Sequence, residues 1–292
     1  MRRTFLFLPG NSPKMLLNGA WLPSDCLIFD LEDAVSPDEK DAARILVRNA
    51  VSAVNYGKRE IVIRINSLDT PYWEDDLKAV LPLKLAMVLL PKVDGSAAVD
   101  TLDRKMSEIE EGLGISPGTT KIGAQIETAA GVEKAYEIGS VNERITALFL
   151  GAEDLTADLR SARTKEGAEI AYARGRLVNA ARACGIEVYD TPFTDVNDLD
   201  GLEKDALLAR KLGFSGKLVI SPRHLDAVNA VFSPSEEEIQ YARDVFQAIE
   251  EGKKLGKGAV SLRGKMIDAP VVKRAERILQ MAADMGEGAS ET

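Results

Sequence analysis

Histidine occurs once in the 292 residues, at His224, and cysteine twice, at Cys26 and Cys184. A single histidine excludes histidine-rich zinc sites and argues against a Ser-His-Asp triad. The two cysteines sit in apolar surroundings and read as buried free thiols rather than as a disulfide or a nucleophile. No apolar run is long enough to cross a bilayer. The opening "MRRTFLFLPG" places two arginines before apolar residues, as a secretory leader would. Pro9, Gly10 and Asn11 interrupt it at once and no A-x-A site follows, so it reads as the first strand of a cytoplasmic protein. Positive charge is in the minority: 37 Lys and Arg against 46 Asp and Glu, a formal net charge of -9. That balance argues against a general nucleic-acid binder. There is no G-x-G-x-x-G, the phosphate loop that a doubly wound dinucleotide fold places after its first strand.

What is present is a repeated alternation. Eight short apolar segments recur: "TFLFLP", "CLIFDLE", "EIVIRIN", "MVLLPKV", "IGAQIET", "ITALFLGAED", "EVYDTPF" and "GKLVISP". Most are separated by stretches with 3.6-residue apolar periodicity, such as "SPDEKDAARILVRNAVSAV". Ser36-Pro37 is placed to open one helix and Gly185 to close another. Strands alternating with helices imply a parallel sheet, and eight of them a TIM-like (β/α)8 barrel, with a doubly wound open sheet as the runner-up. Beyond Pro222 the pattern changes. "SPSEEEIQYARDVFQAIEEGKK" predicts a capped helix, "GKGAVSLRGKMIDAP" breaks the helical period, "VVKRAERILQMAADM" restores it, and "GEGASET" reads as a frayed tail. The expected organisation is a catalytic barrel over 1–232 and a C-terminal helical extension and lid over 233–292.

In such a barrel, chemistry sits where strands end. The expected strand ends carry Asp30, Glu32 and Asp33, then Arg64 and Asn66, Lys92, Gln125 and Glu127, Glu153 and Asp154, and Asp190. Carboxylates converging on one mouth repel each other unless a cation lies among them. All-oxygen ligands favour Mg2+, or Mn2+, over zinc. Glu127 and Asp154 end adjacent expected strands and are placed to share one ion. Strand alternation is expected to turn Glu153 away from it. The plainer alternative is a ring of salt bridges in which Arg64 and Lys92 neutralise the acids. With a metal present, those two bases instead face an anionic, oxygen-rich substrate.

Two other segments leave their alternatives open. In "PGNSPKM", Ser12 and Pro13 can start a helix whose amides meet an anion, with Lys14, Arg2 and Arg3 adding charge, or can simply cap it. In "GKMIDAP", Asp268 can cap the last helix or be an acid carried to a mouth by a flap.

These words in their order, "RRTFLFLPGNSPKML", "IFDLEDAVSPDEKDAAR", "VIRIN", "LPKV", "QIETAAGV", "GAEDLTADL" and "GKMIDAP", resemble the citrate lyase β-subunit family, which is related to malyl-CoA lyases and the HpcH/HpaI aldolases. The match runs along nearly the entire chain. It departs at Ile220-Ser221-Pro222, where the family often has Ile-His-Pro. The resemblance implies a Mg2+-binding TIM-like barrel acting on a thioester, with Glu127 and Asp154 as metal ligands and Arg64 and Glu127 as substrate contacts. It further implies that Asp268 serves as acid/base in the mouth of an adjacent subunit, and hence a homo-oligomer, a trimer or hexamer.

The expected reaction is retro-aldol cleavage of citryl-ACP to acetyl-ACP and oxaloacetate, with this chain as the β subunit alongside α and acyl-carrier γ subunits. Arg64 then holds oxyanion charge, Asp268 protonates the enolate carbon, and no Schiff-base lysine is needed. The nearest alternative is a stand-alone lyase of malyl-CoA or citramalyl-CoA. Rivals from other classes are a non-catalytic barrel serving as an assembly scaffold and a Mg2+-dependent phosphoryl-transfer barrel. Neither nucleic acid nor membrane is an expected partner.

Overall fold

The computed structural model describes residues 1–254 and 260–286. Parallel strands β1 to β8 close into a barrel in chain order, β8 pairing back onto β1. They are β1 (Thr4–Pro9), β2 (Cys26–Asp30), β3 (Glu60–Arg64), β4 (Met87–Leu90), β5 (Lys121–Ile126), β6 (Ile145–Leu150), β7 (Glu187–Asp190) and β8 (Gly216–Val219). Between them run α1 (Pro13–Gly19), α2 (Lys40–Ala53), α3 (Trp73–Val80), α4 (Ser96–Gly112), α5 (Ala129–Glu133), α6 (Ala135–Gly139), α7 (Ala152–Asp158), α8 (Ala171–Cys184) and α9 (Leu199–Leu212), with α10 (Leu225–Phe232) after β8. Each expected apolar segment supplies one strand, because a strand covered on both faces reads as a continuous apolar run.

Strand alternation then decides what each side chain meets. Phe5, Cys26, Ile28, Val62, Met87, Leu89, Ala147, Phe149, Tyr189 and Leu218 share one face and fill the barrel interior as a single buried cluster. The rings of Phe5 and Phe149 meet edge to face with centroids 5.1 Å apart. Continuing the same parity two residues further along each strand reaches Asp30, Arg64, Gln125, Gly151, Thr191 and Ile220, all of which line the mouth. Gly185 ends α8 in the left-handed conformation, φ +71°, as its position in the sequence suggested.

The opposite parity carries a different set of charges. Lys217 and Asp190 point outward to meet Arg174 of α8 and Asp205 of α9. Lys217 Nζ lies 2.6 Å from both carboxylates, and Arg174 donates to both. Burial alone would raise the Asp190 carboxyl, but the charges of Lys217 and Arg174 outweigh it and hold it below the usual carboxylate range. A carboxyl depressed in the fold contributes stability above its ordinary pKa and loses it as pH falls. Asp190→Ala leaves two buried cations with one carboxylate. We expect a loss of about 3–5 kcal/mol in urea unfolding, the cost of breaking a buried pair. Asp190→Asn should flatten the acid limb of the stability profile, and an unchanged profile would count against this assignment.

Contacts within the chain group Arg2–Ala230 into one compact unit and Val231–Thr292, with Met1, into another. The second contains α11 (Glu236–Lys254), a two-stranded hairpin of β9 (Ser261–Leu262) and β10 (Lys265–Met266), and α12 (Ala269–Asp284). Ser235 Oγ accepts from the Glu238 N–H and Glu238 Oε2 accepts from the Ser235 N–H, a reciprocal cap that starts α11. Ala242 and Val245 of α11 pack against Ala275 of α12. Parts of the helix-breaking segment, 256–259, and of the expected tail, 287–292, lie outside the described residues. Among those described, no helix is long and apolar enough to cross a membrane.

Candidate active site

The mouth at the strand C-termini opens a cavity of about 480 Å³ lined by Asp30, Arg64, Gln125, Glu127, Glu153 and Asp154 among others. A second cavity of about 430 Å³ shares Glu127 and Asp154 with it and adds Lys92. The expected metal and substrate residues of the barrel, Arg64, Glu127 and Asp154, are therefore brought to one place.

Arg64 is anchored before any substrate arrives. Its Nε and Nη2 donate to the two oxygens of Asp30 at 2.7 and 2.6 Å, a planar fork on the neighbouring strand. Nη1 lies 3.2 Å from Glu32 Oε2, and the guanidinium sits 4.8 Å over the Phe7 ring. Burial lowers its proton affinity, but the Asp30 charge and hydrogen bonds more than offset this and raise it.

Glu127 is 1% exposed. Burial pushes its carboxyl up to about 8; the Gln125 hydrogen bond and Arg64 oppose this, while Glu32 and Asp154 add to it. One oxygen accepts from the Lys92 backbone N–H at 2.7 Å, the other from the Gln125 side-chain amide. Gly151 makes room for this: a Cβ there would stand 2.7 Å from the Glu127 Cβ and closer still to its carboxylate.

The run "GAEDLTADL" distributes its acids to three ends. β6 stops at Leu150, and Ala152–Asp158 is helical. Strand alternation is thus not what separates Glu153 from Asp154, contrary to expectation; both lie in the first turn of α7 and both reach the first cavity. Glu153 is paired with Arg163 at 3.3 Å, and Asp158 accepts from the Ala129 N–H at 2.7 Å. Asp154 has no such partner among the described contacts and reaches the second cavity as well.

Other expectations are corrected. Asp190 belongs to the outward network, and Asn66 donates twice to Asp76. Arg2 and Arg3 precede β1 and pair with Glu60 and Asp25, at the opposite strand ends from the "PGNSPKM" loop. Ser12 makes no side-chain cap. Cys184 is partly exposed, whereas Cys26 is buried; both thiols are free. Of the two roles left open for Asp268, the cap of α12 is the one visible within the chain, its Oδ1 accepting from the Val271 N–H at 3.1 Å.

Three supporting residues escaped the sequence reading. Lys40 Nζ donates to the carbonyls of Leu31 and Glu32 at 2.8 and 2.7 Å and shapes the loop that carries Glu32. Thr191 Oγ1 accepts from the Ala152 N–H at 3.1 Å at the start of α7. Phe7 supplies the ring beneath Arg64. For Thr191 and Phe7 the signal was their parity with the mouth residues. Lys40, in a charged stretch typical of an exposed helix face, had none.

The donor set suits a hard cation. Glu127 and Asp154 are carboxylates, and Gln125 Oε1 is a buried oxygen without a hydrogen-bond partner beside them. Among the described residues, no three His, Cys, Asp or Glu side chains form a ready metal cage. Mg2+ needs no such cage, since it takes one or two carboxylates and completes its shell with water and substrate.

Residues 3–222 match the family described as HpcH/HpaI aldolase/citrate lyase. Citrate lyase subunit beta of Leuconostoc mesenteroides subsp. cremoris is 44% identical over 282 residues, covering 97% of this chain and 93% of that one. Mitochondrial citramalyl-CoA lyase of Rattus norvegicus is 31% identical over 295 residues, covering 98% and 87%. The crystal structure of the protein CitE from Mycobacterium tuberculosis in complex with magnesium, acetoacetate and coenzyme A superposes with a TM-score of 0.78 at 29% identity, covering 97% and 98%.

Proposed function

Because this chain belongs to the HpcH/HpaI aldolase/citrate lyase family, we propose that it is a Mg2+-dependent carbon–carbon lyase that cleaves citryl-ACP to acetyl-ACP and oxaloacetate as the β subunit of a citrate lyase. The observation that carries this reading is the convergence of Arg64, Glu127 and Asp154 on one cavity. Glu127 and Asp154 would hold Mg2+, which would supply Lewis-acid chemistry at the mouth when bound. The chain's own residues do the rest. Arg64, locked by Asp30, presents Nη1 to developing oxyanion charge. As the carbon–carbon bond breaks, the hydroxyl proton passes to solvent water, its oxygen becomes the keto-acid carbonyl, and the bonding pair passes to the thioester as an enolate. An acid then protonates the enolate carbon. The family resemblance assigns that step to Asp268 of a neighbouring subunit. The C-terminal extension is then a lid, and the working form a trimer or hexamer assembled with α and acyl-carrier γ subunits. A cytoplasmic location belongs to the same reading; two free thiols suit a reducing compartment.

The second reading is a stand-alone lyase of citramalyl-CoA or malyl-CoA, favoured by the likeness to mitochondrial citramalyl-CoA lyase. ACP and CoA present the same phosphopantetheine arm, so the deciding experiment is a panel of citryl, citramalyl and malyl thioesters on both carriers, with keto-acid release followed. We expect oxaloacetate from citryl-ACP, abolished by chelator. Cleavage of the citramalyl or malyl thioesters alone would establish the second reading. Release from none of them with Mg2+ present would leave the barrel as a scaffold.

A further inference from the structure

We infer that Lys92 is a positioning residue that ties the metal-binding half of the site to the arginine half, an inference that rests on the function proposed above. Lys92 follows β4 and adopts φ +54°, in the left-handed region. Lysine has no special tolerance for that region, where its Cβ crowds the following carbonyl. Strain of this kind persists only where the surroundings over-determine it. Here two contacts do so, from opposite ends of one residue. The backbone N–H donates to Glu127 Oε1 at 2.7 Å. The side-chain Nζ donates to Glu32 Oε1 at 2.7 Å and lies 3.6 Å from Asp33. Glu32 passes the connection on, its other oxygen lying 3.2 Å from Arg64 Nη1.

An unbroken line of contacts therefore runs from Glu127 through Lys92 and Glu32 to Arg64. A cation that only balanced charge would need no left-handed backbone. A residue that only made the turn would be better served by glycine. Lysine at this φ supplies the amide to one half and the ammonium to the other. Gln125 holds the second oxygen of Glu127, so loss of the Lys92 amide leaves that carboxylate tethered on one side only.

Two substitutions separate the arms. Lys92→Met keeps an unbranched side chain and the amide but removes the ammonium. Lys92→Val opposes positive φ through its branched Cβ and displaces the amide as well. Three measurements read them: hydrogen exchange of the residue-92 amide without metal or substrate, the Mg2+ dissociation constant by calorimetry without substrate, and kcat/KM on the thioester that the wild type cleaves. Exchange at residue 92 should be slow in the wild type and in Lys92→Met, and at least about tenfold faster in Lys92→Val and in Glu127→Ala. Mg2+ should bind Lys92→Met no more weakly than the wild type and Lys92→Val about tenfold more weakly, the scale of losing a ligand's supporting contact. Lys92→Met should lose about tenfold in kcat/KM through the loosened Glu32–Arg64 arm. The inference is overturned if amide exchange does not respond to Glu127→Ala, if Lys92→Val binds Mg2+ as the wild type does, or if Lys92→Met retains full kcat/KM. Should the wild type bind no Mg2+ and cleave no thioester, the proposed function fails, and amide exchange alone still decides the tether.

Discussion

Glu127→Gln should abolish most turnover, by at least about 10²–10³-fold, the scale of removing one preorganised electrostatic contact from an active site. It should weaken Mg2+ binding in step. The substitution preserves shape, and the surroundings can accept it. The Lys92 N–H still finds an oxygen, and Gln125 can turn its amide to present Oε1, the atom that now lacks a partner. What is lost is the capacity to carry a negative charge at a place that already holds Glu32 and Asp154 within electrostatic range. In the empty protein burial already disfavours that charge, so the folded state should be no less stable than the wild type. Asp154→Asn should behave in parallel. A variant that folds as well as the parent while losing both metal and turnover separates a ligand from a merely structural acid. Full activity of the wild type in exhaustive chelator, or of Glu127→Gln with Mg2+, would sink the metal assignment.

The second large effect falls on Arg64 and Asp268 together. Arg64→Lys keeps the charge but loses the planar fork that engages both oxygens of Asp30. We expect roughly a 10²-fold loss in kcat/KM, and wild-type kinetics would remove Arg64 from the proposed chemistry. Asp268→Asn should be at least as damaging if this side chain protonates the enolate carbon, although its visible role is to cap α12. The two roles are separable, because asparagine is also a good cap. Asp268→Asn should therefore lose turnover and leave thermal stability nearly intact. Mixing an Asp268→Asn chain with an Arg64→Ala chain then tests whether the acid acts across subunits. Hybrid oligomers contain some mouths with both residues intact, so activity should return. If the subunits exchange and none returns, the assignment in trans fails.

Much of this site was legible before the structure. A strand buried on both faces reads as an apolar run, and its polar end is conspicuous for that reason; Arg64, Gln125 and Glu127 were found by this rule. The same rule misplaced Asp190, because position at a strand end says nothing about which face a side chain takes. Parity with Tyr189 and the interior cluster would have sent it outward. Glu153 is turned toward the mouth for the converse reason: strand parity stops at Leu150, and the residues after it are already helical, so Glu153 reaches the cavity as Asp154 does. The tie between Lys92 and Glu127 was beyond sequence, since it is made by a backbone amide whose direction depends on a left-handed φ. Lys40 was hidden among charged neighbours, where burial leaves no mark on composition.

The fork between Arg64 and Asp30 also bears on the entropy of catalysis. A long side chain usually gives up rotamer freedom when it closes on a ligand, and association bears that cost. Here the loss was incurred at folding: the guanidinium is desolvated, seated over a ring and bolted to the next strand. Binding to such a group is selective by location as much as by charge, because an incoming oxygen must come to Nη1 and cannot draw the arginine out to meet it.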